Sequence, residues 1–290
     1  MIELQIHGIK SSSVEPLSDL LSDLGAMSIT MMDAADCPVL EPAPGETPLW
    51  PDVMIKALFQ DEMQVSLCEQ VIITSYPGLQ TERHALHERA WENEWKNQAS
   101  VMCFGERLWV RPSHLESPAT DTIDVILDPG LAFGTGSHPT TALCLKWLDT
   151  QPLEEKTMID YGCGTGILMI AALKLGTQFA YGVDIDPQAI LATEQNAQRN
   201  GVKADSFQVG DVRSIEKIQP VDVIIANILF NPLVELQDVF YQHLKPTGFL
   251  VVSGILTEQI QPLIQALQHK FKSIDIQQEE QWGMVVFRKK

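Results

Sequence analysis

Three glycines spaced G-x-G-x-G, Gly162, Gly164 and Gly166, lie in the stretch IDYGCGTGI. They follow an apolar stretch that predicts a β-strand and precede one that predicts a helix. In α/β sheets, nucleotide-like ligands bind at such a strand end, where residues without a Cβ let them approach the backbone closely. The dinucleotide fingerprint G-x-G-x-x-G would need a glycine at position 167, which is isoleucine here. The loop therefore predicts a cofactor site without naming the cofactor.

Two carboxylates flank this glycine loop. Asp160 ends the strand before the first glycine, and Asp184 ends the next predicted strand, in GVDID. A carboxylate at that second position accepts hydrogen bonds from the hydroxyls of a ribose. A carboxylate beside the glycines suits a ligand with an amino group, whereas a pyrophosphate prefers a helix N-terminus without nearby negative charge. The pair favours S-adenosylmethionine (SAM) over NAD, although Asp160 alone would be interpreted as a solvated strand-end residue.

A second glycine-rich stretch, DPGLAFGTGSHPTT, covers residues 128–141. It lacks the G-x-x-x-x-G-K pattern of NTPase phosphate loops. We interpret it as a lid over the mouth of the cofactor site, with Thr141 at the start of the following helix reaching the cofactor. A plain surface connector is the alternative. The residues expected to line the acceptor entrance are Phe133, Gly134, Gly136 and His138.

The elements that position these residues alternate between strand and helix from residue 156 onward. This alternation is typical of an α/β fold with a parallel sheet covered on both faces. The final stretch, SIDIQQEEQWGMVVFRK, predicts a hairpin that adds an antiparallel strand to the sheet. Residues 106–290 are therefore expected to form the domain that carries the site. Within it, residues 231–248 predict a single helix, followed by a buried strand in FLVVSG.

The first 88 residues follow a different pattern. Alternating stretches and helical periodicity predict the order β-α-β-β-α-β, a smaller α+β domain with a ferredoxin-like antiparallel sheet over residues 1–88. Residues 89–105 are interpreted as a linker helix region, in which Trp91 and Trp95 form a packing stripe between the domains. A chain of 290 residues also exceeds the commonest domain size of ~100–150 residues.

Charge and cysteine usage exclude several classes of protein. The net charge of −18 disfavours direct nucleic-acid binding, which needs a basic surface, and suits a basic protein partner. The five cysteines include no C-x-x-C pair, which argues against a disulfide framework or a zinc site, so no metal is expected. No stretch approaches the ~18 apolar residues of a membrane span, and no signal peptide is recognisable. We expect a cytoplasmic protein without a membrane partner.

Several longer stretches are similar to one known family. They are WENEW, ERLWVRPS, LDPGLAFGTGSHPTT, IDYGCGTGILMIAALKLG, GVDIDPQAI, VIIANILFNPL, SGIL and a tryptophan near the end of the sequence, Trp282. The chain resembles class I SAM-dependent methyltransferases, which have a Rossmann-like sheet. Among these it resembles the bacterial family that methylates ribosomal protein eleven, at the stalk base of the large subunit. The resemblance covers most of the chain, and PGLAFGTGSHPTT together with ANILFNPL is its most specific part.

The resemblance implies a division of labour between the domains. The ferredoxin-like domain would recognise the substrate, and the C-terminal domain would be catalytic. The product would be trimethylated amines, on lysines and on the N-terminal amino group of a basic ribosomal protein. Phe230 and Asn231 replace smaller residues of the family pattern. In that position they could alter the acceptor channel and so the number of methyl groups transferred. The implied cofactor contacts are Thr141, Gly162, Asp184 and Asn227.

Asn227 is the candidate catalytic residue, at the end of the fourth predicted strand of the sheet. There its side-chain oxygen could accept a hydrogen bond from an incoming amine and orient the lone pair of the nitrogen. A helix-capping asparagine is the alternative. Two other functions stay open. One is methylation of a nucleic-acid base or another protein, since NILFNPL is close to the N-P-P-aromatic motif of other amino-group methyltransferases. The other is a non-catalytic SAM-binding module.

Overall fold

A computed structural model describes residues 1–35, 46–85, 100–117, 121–128 and 136–290. The chain divides into two units, Met1–Trp91 and Glu92–Lys290. Most of the predicted linker helix region, including Trp91 and Trp95, lies outside the described residues.

The elements of the first unit follow the order predicted from the sequence. They are β1 Ile2–Lys10, α1 Val14–Asp23, β2 Ser28–Asp33, β3 Asp52–Phe59, α2 Glu62–Ser75 and β4 Gln80–Ala85. The strands form an antiparallel sheet of order β2-β3-β1-β4. Alternation along β1 buries Leu4 and Ile6, which pack in one core with α1 and α2. The N-cap of α2 is Asp61, whose side chain accepts hydrogen bonds from the first turn of the helix.

The second unit begins with a small sheet of three strands, β5 Met102–Phe104, β6 Leu108–Arg111 and β7 Ile123–Ile126. The strand β6 pairs antiparallel with β5 and parallel with β7. The sequence does not predict β5. It falls in the predicted linker helix region, of which residues 100–105 are therefore not helical. Pairing with β6 decides the conformation of this short stretch, because three residues carry too little periodicity to predict a strand.

A sheet of seven strands forms the body of this unit. Its strands are β8 Thr157–Tyr161, β9 Phe179–Asp184, β10 Phe207–Asp211, β11 Val221–Asn227, β12 Leu244–Leu256, β13 Phe271–Glu279 and β14 Trp282–Lys289. Their order is β10-β9-β8-β11-β12-β14-β13. The first five are parallel, and β14 runs antiparallel between β12 and β13. The predicted α/β sheet with a terminal antiparallel hairpin is confirmed.

Six α-helices of the described residues flank this sheet: α3 Pro139–Thr150, α4 Ile167–Lys174, α5 Pro187–Arg199, α6 Phe230–Glu235, α7 Gln237–His243 and α8 Ile260–Leu267. Successive strand residues enter opposite cores. In β11, Val223 and Ile225 pack with α3, α4 and α5, whereas Ile224 packs with α6, α7 and α8. Both faces are therefore covered, which explains the continuous apolar runs of the inner strands.

No helix in the described part of the chain is long and apolar enough to cross a membrane.

The prediction of one helix over residues 231–248 is wrong. Two short helices, α6 and α7, meet at Leu236, and β12 already begins at Leu244. Leu244 is buried and pairs with Val221 at the start of β11. Pro246 could not continue a helix, and Thr247 adopts a positive φ of 67°. Tertiary pairing and this turn therefore override the helical propensity of the stretch.

Candidate active site

The glycine loop joins β8 to α4 with a backbone that only glycine adopts readily. Gly162, Gly164 and Gly166 have φ angles of 76°, 54° and 77°. A Cβ on Gly162 would lie 2.5 Å from Cγ2 of Ile228, and a Cβ on Gly166 would lie 2.6 Å from Cγ2 of Thr193. Gly162 and Gly164 are partly exposed, whereas Gly166 is buried. The loop thus packs closely against Ile228 and Thr193 and leaves part of Gly162 and Gly164 accessible to a ligand.

Asp184 ends β9 beside this loop, as predicted. Its Oδ2 accepts a hydrogen bond from the backbone N–H of Gly164 at 2.9 Å, and its Oδ1 accepts one from Asp186 N–H at 3.0 Å. An ionised carboxylate offers about four acceptor positions, so each oxygen keeps capacity for a further donor. Asp184 is only partly buried. The backbone therefore orients this carboxylate, and its remaining acceptor capacity fits the two hydroxyls of a ribose.

Asp160 lies beneath the glycine loop and not at the surface. It is 1% exposed, and its Oδ2 accepts a hydrogen bond from Met169 N–H in the first turn of α4 at 3.0 Å. Burial raises the pKa of Asp160 to about 7. The Met169 hydrogen bond opposes this rise, and the nearby charge of Asp184 adds to it. The interpretation of Asp160 as a solvated strand-end residue is therefore wrong.

The raised pKa of Asp160 predicts a pH-dependent stability. Between the ordinary pKa of 3.8 and about 7, the folded chain holds this proton and the unfolded chain does not, so stability falls as pH rises through that window. Asparagine keeps an acceptor for Met169 N–H but carries no charge. Relative to wild type, Asp160→Asn should gain at most about 1.4 kcal/mol of unfolding free energy per pH unit in the window. Urea unfolding of both proteins from pH 5 to pH 8 measures the gain. A difference that does not change with pH would contradict it.

Asn227 and Thr141 meet at the same edge of the sheet. Asn227 ends β11, and its Nδ2 donates to Oγ1 of Thr141, in the first turn of α3, at 3.2 Å. Thr141 is 3% exposed, whereas Asn227 is partly exposed. The N-terminus of α3 is held there by Ser253, whose Oγ donates to the carbonyl of Thr140 at 3.1 Å. Sequence reasoning missed Ser253, although a serine inside the apolar stretch FLVVSGIL is a usable signal.

Two of the predicted lid residues fall within the described part of the chain. His138 is the N-cap of α3, and its ring stands edge-on to that of Trp282 with centroids 4.8 Å apart. Gly136 is buried with a φ of 84°, and a Cβ there would lie 3.1 Å from Cδ1 of Ile167, the first residue of α4. This end of the second glycine-rich stretch therefore adjoins the glycine loop. Phe133 and Gly134 lie outside the described residues.

Sequence reasoning also missed two buried residues of α5 that bind the glycine loop. Thr193 Oγ1 donates to the carbonyl of Gly164 at 3.0 Å, and Asn196 Nδ2 donates to the carbonyl of Thr165 at 2.9 Å. They stand on the buried face of the helix with Ala189 and Ala197. The signal is a polar pair at i, i+3 on a face otherwise made of small apolar residues.

Three neighbouring strands, β9, β8 and β11, thus bring their carboxyl ends together. These ends carry Asp184, the glycine loop and Asn227, whose amide contacts the first turn of α3. The strand order reverses between β8 and β11, which is the place where open α/β sheets bind ligands. No group of three or more His, Cys, Asp or Glu among the described residues could hold a metal ion. The arrangement suits the binding of a ribose-bearing cofactor beside an oriented amine.

Comparisons with known proteins agree with this geometry. The family model described as Ribosomal protein L11 methyltransferase (PrmA) matches residues 1–290. A "Ribosomal protein L11 methyltransferase" from Legionella pneumophila (strain Lens) is 42% identical over 288 residues, 99% of each chain. One of the same name from Haemophilus ducreyi is 46% identical over 273 residues, 92% of each chain.

Two solved structures extend the likeness to the fold. The crystal structure of ribosomal protein L11 methylase from Lactobacillus delbrueckii subsp. bulgaricus superposes with a TM-score of 0.60 at 29% identity. It covers 66% of this chain and 98% of that chain. A protein solved in complex with SAH has a TM-score of 0.50 at 14% identity, covering 78% of this chain and 65% of its own. At that identity the second likeness shows the fold alone.

Proposed function

Since the chain belongs to the ribosomal protein L11 methyltransferase family, we propose that it methylates amino groups of ribosomal protein L11. Its fold is that of class I SAM-dependent methyltransferases, and its cofactor is SAM. The proposed products are trimethylated lysine side chains and a trimethylated N-terminal amine. The proposed location is the cytoplasm, where ribosomal proteins are made.

The observation that carries this proposal is the hydrogen bond between Asn227 and Thr141 beside the Asp184 loop. It fixes an amide next to the place where the glycine loop would seat the cofactor. With Nδ2 of Asn227 donating to Oγ1 of Thr141, its Oδ1 is the atom that would meet an incoming amine.

The cofactor side of the site consists of the glycine loop, Asp184 and Thr141. Gly162 and Gly164 are partly exposed and would let the cofactor approach the backbone, and Asp184 would accept hydrogen bonds from the two ribose hydroxyls. Asp160, buried beneath the loop, supports α4 by accepting a hydrogen bond from Met169 N–H. SAM supplies an electrophilic methyl group on its sulfonium, and the protein supplies the orientation.

The acceptor side must present a neutral amine in line with the methyl group. A lysine amine has an ordinary pKa of ~10.4 and is mostly protonated at neutral pH. Entry into a partly apolar channel disfavours the charged form and promotes loss of the proton to water. The Oδ1 of Asn227 would then accept an N–H of the amine and direct its lone pair. A productive geometry needs the nitrogen within ~3–3.5 Å of the methyl carbon.

The charge of the first unit supports a basic substrate. Met1–Trp91 contains fourteen Asp and Glu against four Lys and Arg, so it carries −10 of the net charge of −18. An acidic unit would steer a basic protein and repel nucleic acid. We therefore assign substrate recognition to the ferredoxin-like domain over residues 1–88 and catalysis to residues 106–290.

A methyl-transfer assay tests the function. The protein would be incubated with radiolabelled SAM and, in parallel, with L11, with L11 whose amines have been acetylated, with tRNA and with DNA. We expect label in unmodified L11 only, and mass spectrometry should find trimethylated lysine and a trimethylated N-terminus. Label in tRNA or DNA would assign the enzyme to nucleic-acid bases. Binding of SAH without transfer to any of them would make the protein a SAM-binding module.

A further inference from the structure

Two carbonyl groups of the glycine loop are bound by one helix, α5. Thr193 and Asn196 bind two consecutive carbonyls, those of Gly164 and Thr165. We propose that Thr193 and Asn196 are positioning residues for SAM, which act through the loop and do not touch the cofactor. This inference rests on the proposed seating of SAM on that loop.

Thr193 fixes the loop through both its hydroxyl and its methyl group. The side chain is fully buried, and its Oγ1 lies 3.0 Å from the carbonyl oxygen of Gly164. Its Cγ2 occupies the space that a Cβ on Gly166 would need. The N–H of Gly164 already donates to Asp184. Both backbone polar groups of Gly164 are therefore bound, one to the predicted ribose acceptor and one to α5.

Asn196 fixes the next peptide. It is 7% exposed, and its Nδ2 donates to the carbonyl of Thr165 at 2.9 Å. Its Oδ1 accepts a hydrogen bond from Nη1 of Arg199 at 2.9 Å, one turn further along α5. Because Arg199 can only donate, this contact directs the amide nitrogen of Asn196 towards the loop.

The two contacts determine which groups the loop offers to a ligand. Both carbonyl oxygens are directed towards α5, so the open side of the loop is kept clear of them. Carbonyl oxygens on that side would repel the carboxylate of SAM and narrow the space above Gly162 and Gly164. A loop held in its binding conformation before the ligand arrives also loses less conformational freedom on binding. α5 thus preorganises the cofactor seat through these two hydrogen bonds.

Thr193→Val tests this inference, since valine keeps the shape of threonine and replaces the hydroxyl by a methyl group. The carbonyl of Gly164 then loses a buried donor, and we expect the Kd for SAH and the KM for SAM to rise about tenfold. The kcat and the KM for L11 should change by less than about threefold, which corresponds to about 0.65 kcal/mol. Thr193→Ser restores the hydroxyl and should bring SAH affinity back towards wild type. Calorimetry with SAH measures binding without turnover.

Thr177→Val is the matched control. Thr177 is also a buried threonine of this unit, and its Oγ1 has no hydrogen-bond partner among the described residues. Its substitution should leave SAH affinity unchanged. A second variant, Asn196→Asp, keeps the size of the side chain but cannot donate to Thr165, so it should weaken SAH binding even if Thr193→Val folds poorly.

The outcomes separate the inference from the proposed function. If wild type does not bind SAH, the seating of SAM itself is wrong. If wild type binds SAH and both Thr193→Val and Asn196→Asp bind it equally well, only the positioning role is overturned. A parallel loss of SAH affinity, L11 affinity and thermal stability in Thr193→Val and Thr177→Val would also overturn it, since it would indicate a general structural role.

Discussion

Replacing Asn227 by alanine is expected to slow methyl transfer far more than it weakens cofactor binding. The substitution removes the proposed acceptor for the incoming amine and the hydrogen bond to Thr141. Loss of an orienting contact at a reacting nitrogen lowers kcat on the order of 10²-fold. The Kd for SAH should rise by less than about fivefold, the contribution of one ordinary hydrogen bond. Single-turnover kinetics with L11 and calorimetry with SAH measure the two effects separately.

Thr141→Val is the control for this experiment. It removes the partner of the Asn227 amide but leaves Oδ1 in place, so its kcat should lie between those of wild type and Asn227→Ala. Equal losses of SAH affinity and of rate in Asn227→Ala would show that Asn227 is a cofactor ligand alone. An unchanged rate would remove it from the mechanism.

Replacing Asp184 by alanine should have its main effect on the cofactor. The carboxylate would lose its hydrogen bonds to the ribose, and Gly164 N–H would lose its acceptor. We expect SAH binding to weaken by roughly 2–3 kcal/mol, which corresponds to about 30- to 150-fold in Kd. Calorimetry with SAH and with adenine checks the assignment, because adenine has no ribose and should bind both proteins alike.

Asp186 offers a matched control two residues away. Its Oδ1 accepts a hydrogen bond from Gln188 N–H at 2.9 Å and caps the N-terminus of α5. Asp186→Ala should therefore lower stability by about 1 kcal/mol, the usual effect of losing an N-cap. It should leave the Kd for SAH nearly unchanged. An unchanged Kd in Asp184→Ala, or an equal rise in both variants, would refute the ribose assignment.

The architecture of the second unit is largely predictable, because its signals are local. Buried strands such as β11 contain a continuous apolar run, here residues 223–226, and α5 begins with Pro187 after a capping aspartate. The elements that the sequence does not predict correctly are those whose formation depends on tertiary structure. The short strand β5 forms by pairing with β6, and β12 begins early because Leu244 pairs with Val221. Neither pairing leaves a periodic pattern in the sequence.

Some residues of the candidate site can likewise be predicted from local patterns, whereas others are recognisable only in the tertiary structure. Asp184 and the glycines could be identified because strand ends and glycine spacing are visible along the chain. The burial of Asp160 could not be predicted, because it depends on how the glycine loop folds back and places α4 over this residue. Ser253, Thr193 and Asn196 act through backbone groups far away in sequence. A polar residue on an apolar face signals such a contact but does not name its partner.

The two halves of the site close chain loops of different length. The hydrogen bond that seats the glycine loop joins residues 20 apart, whereas the one between Asn227 and Thr141 joins residues 86 apart. Loop-closure entropy grows with the logarithm of this separation, so the longer contact costs about 1 kcal/mol more to form from the unfolded chain. The cofactor seat is therefore largely complete within the continuous segment from β8 to α5. The acceptor side depends on the assembly of strands and helices from distant parts of the unit.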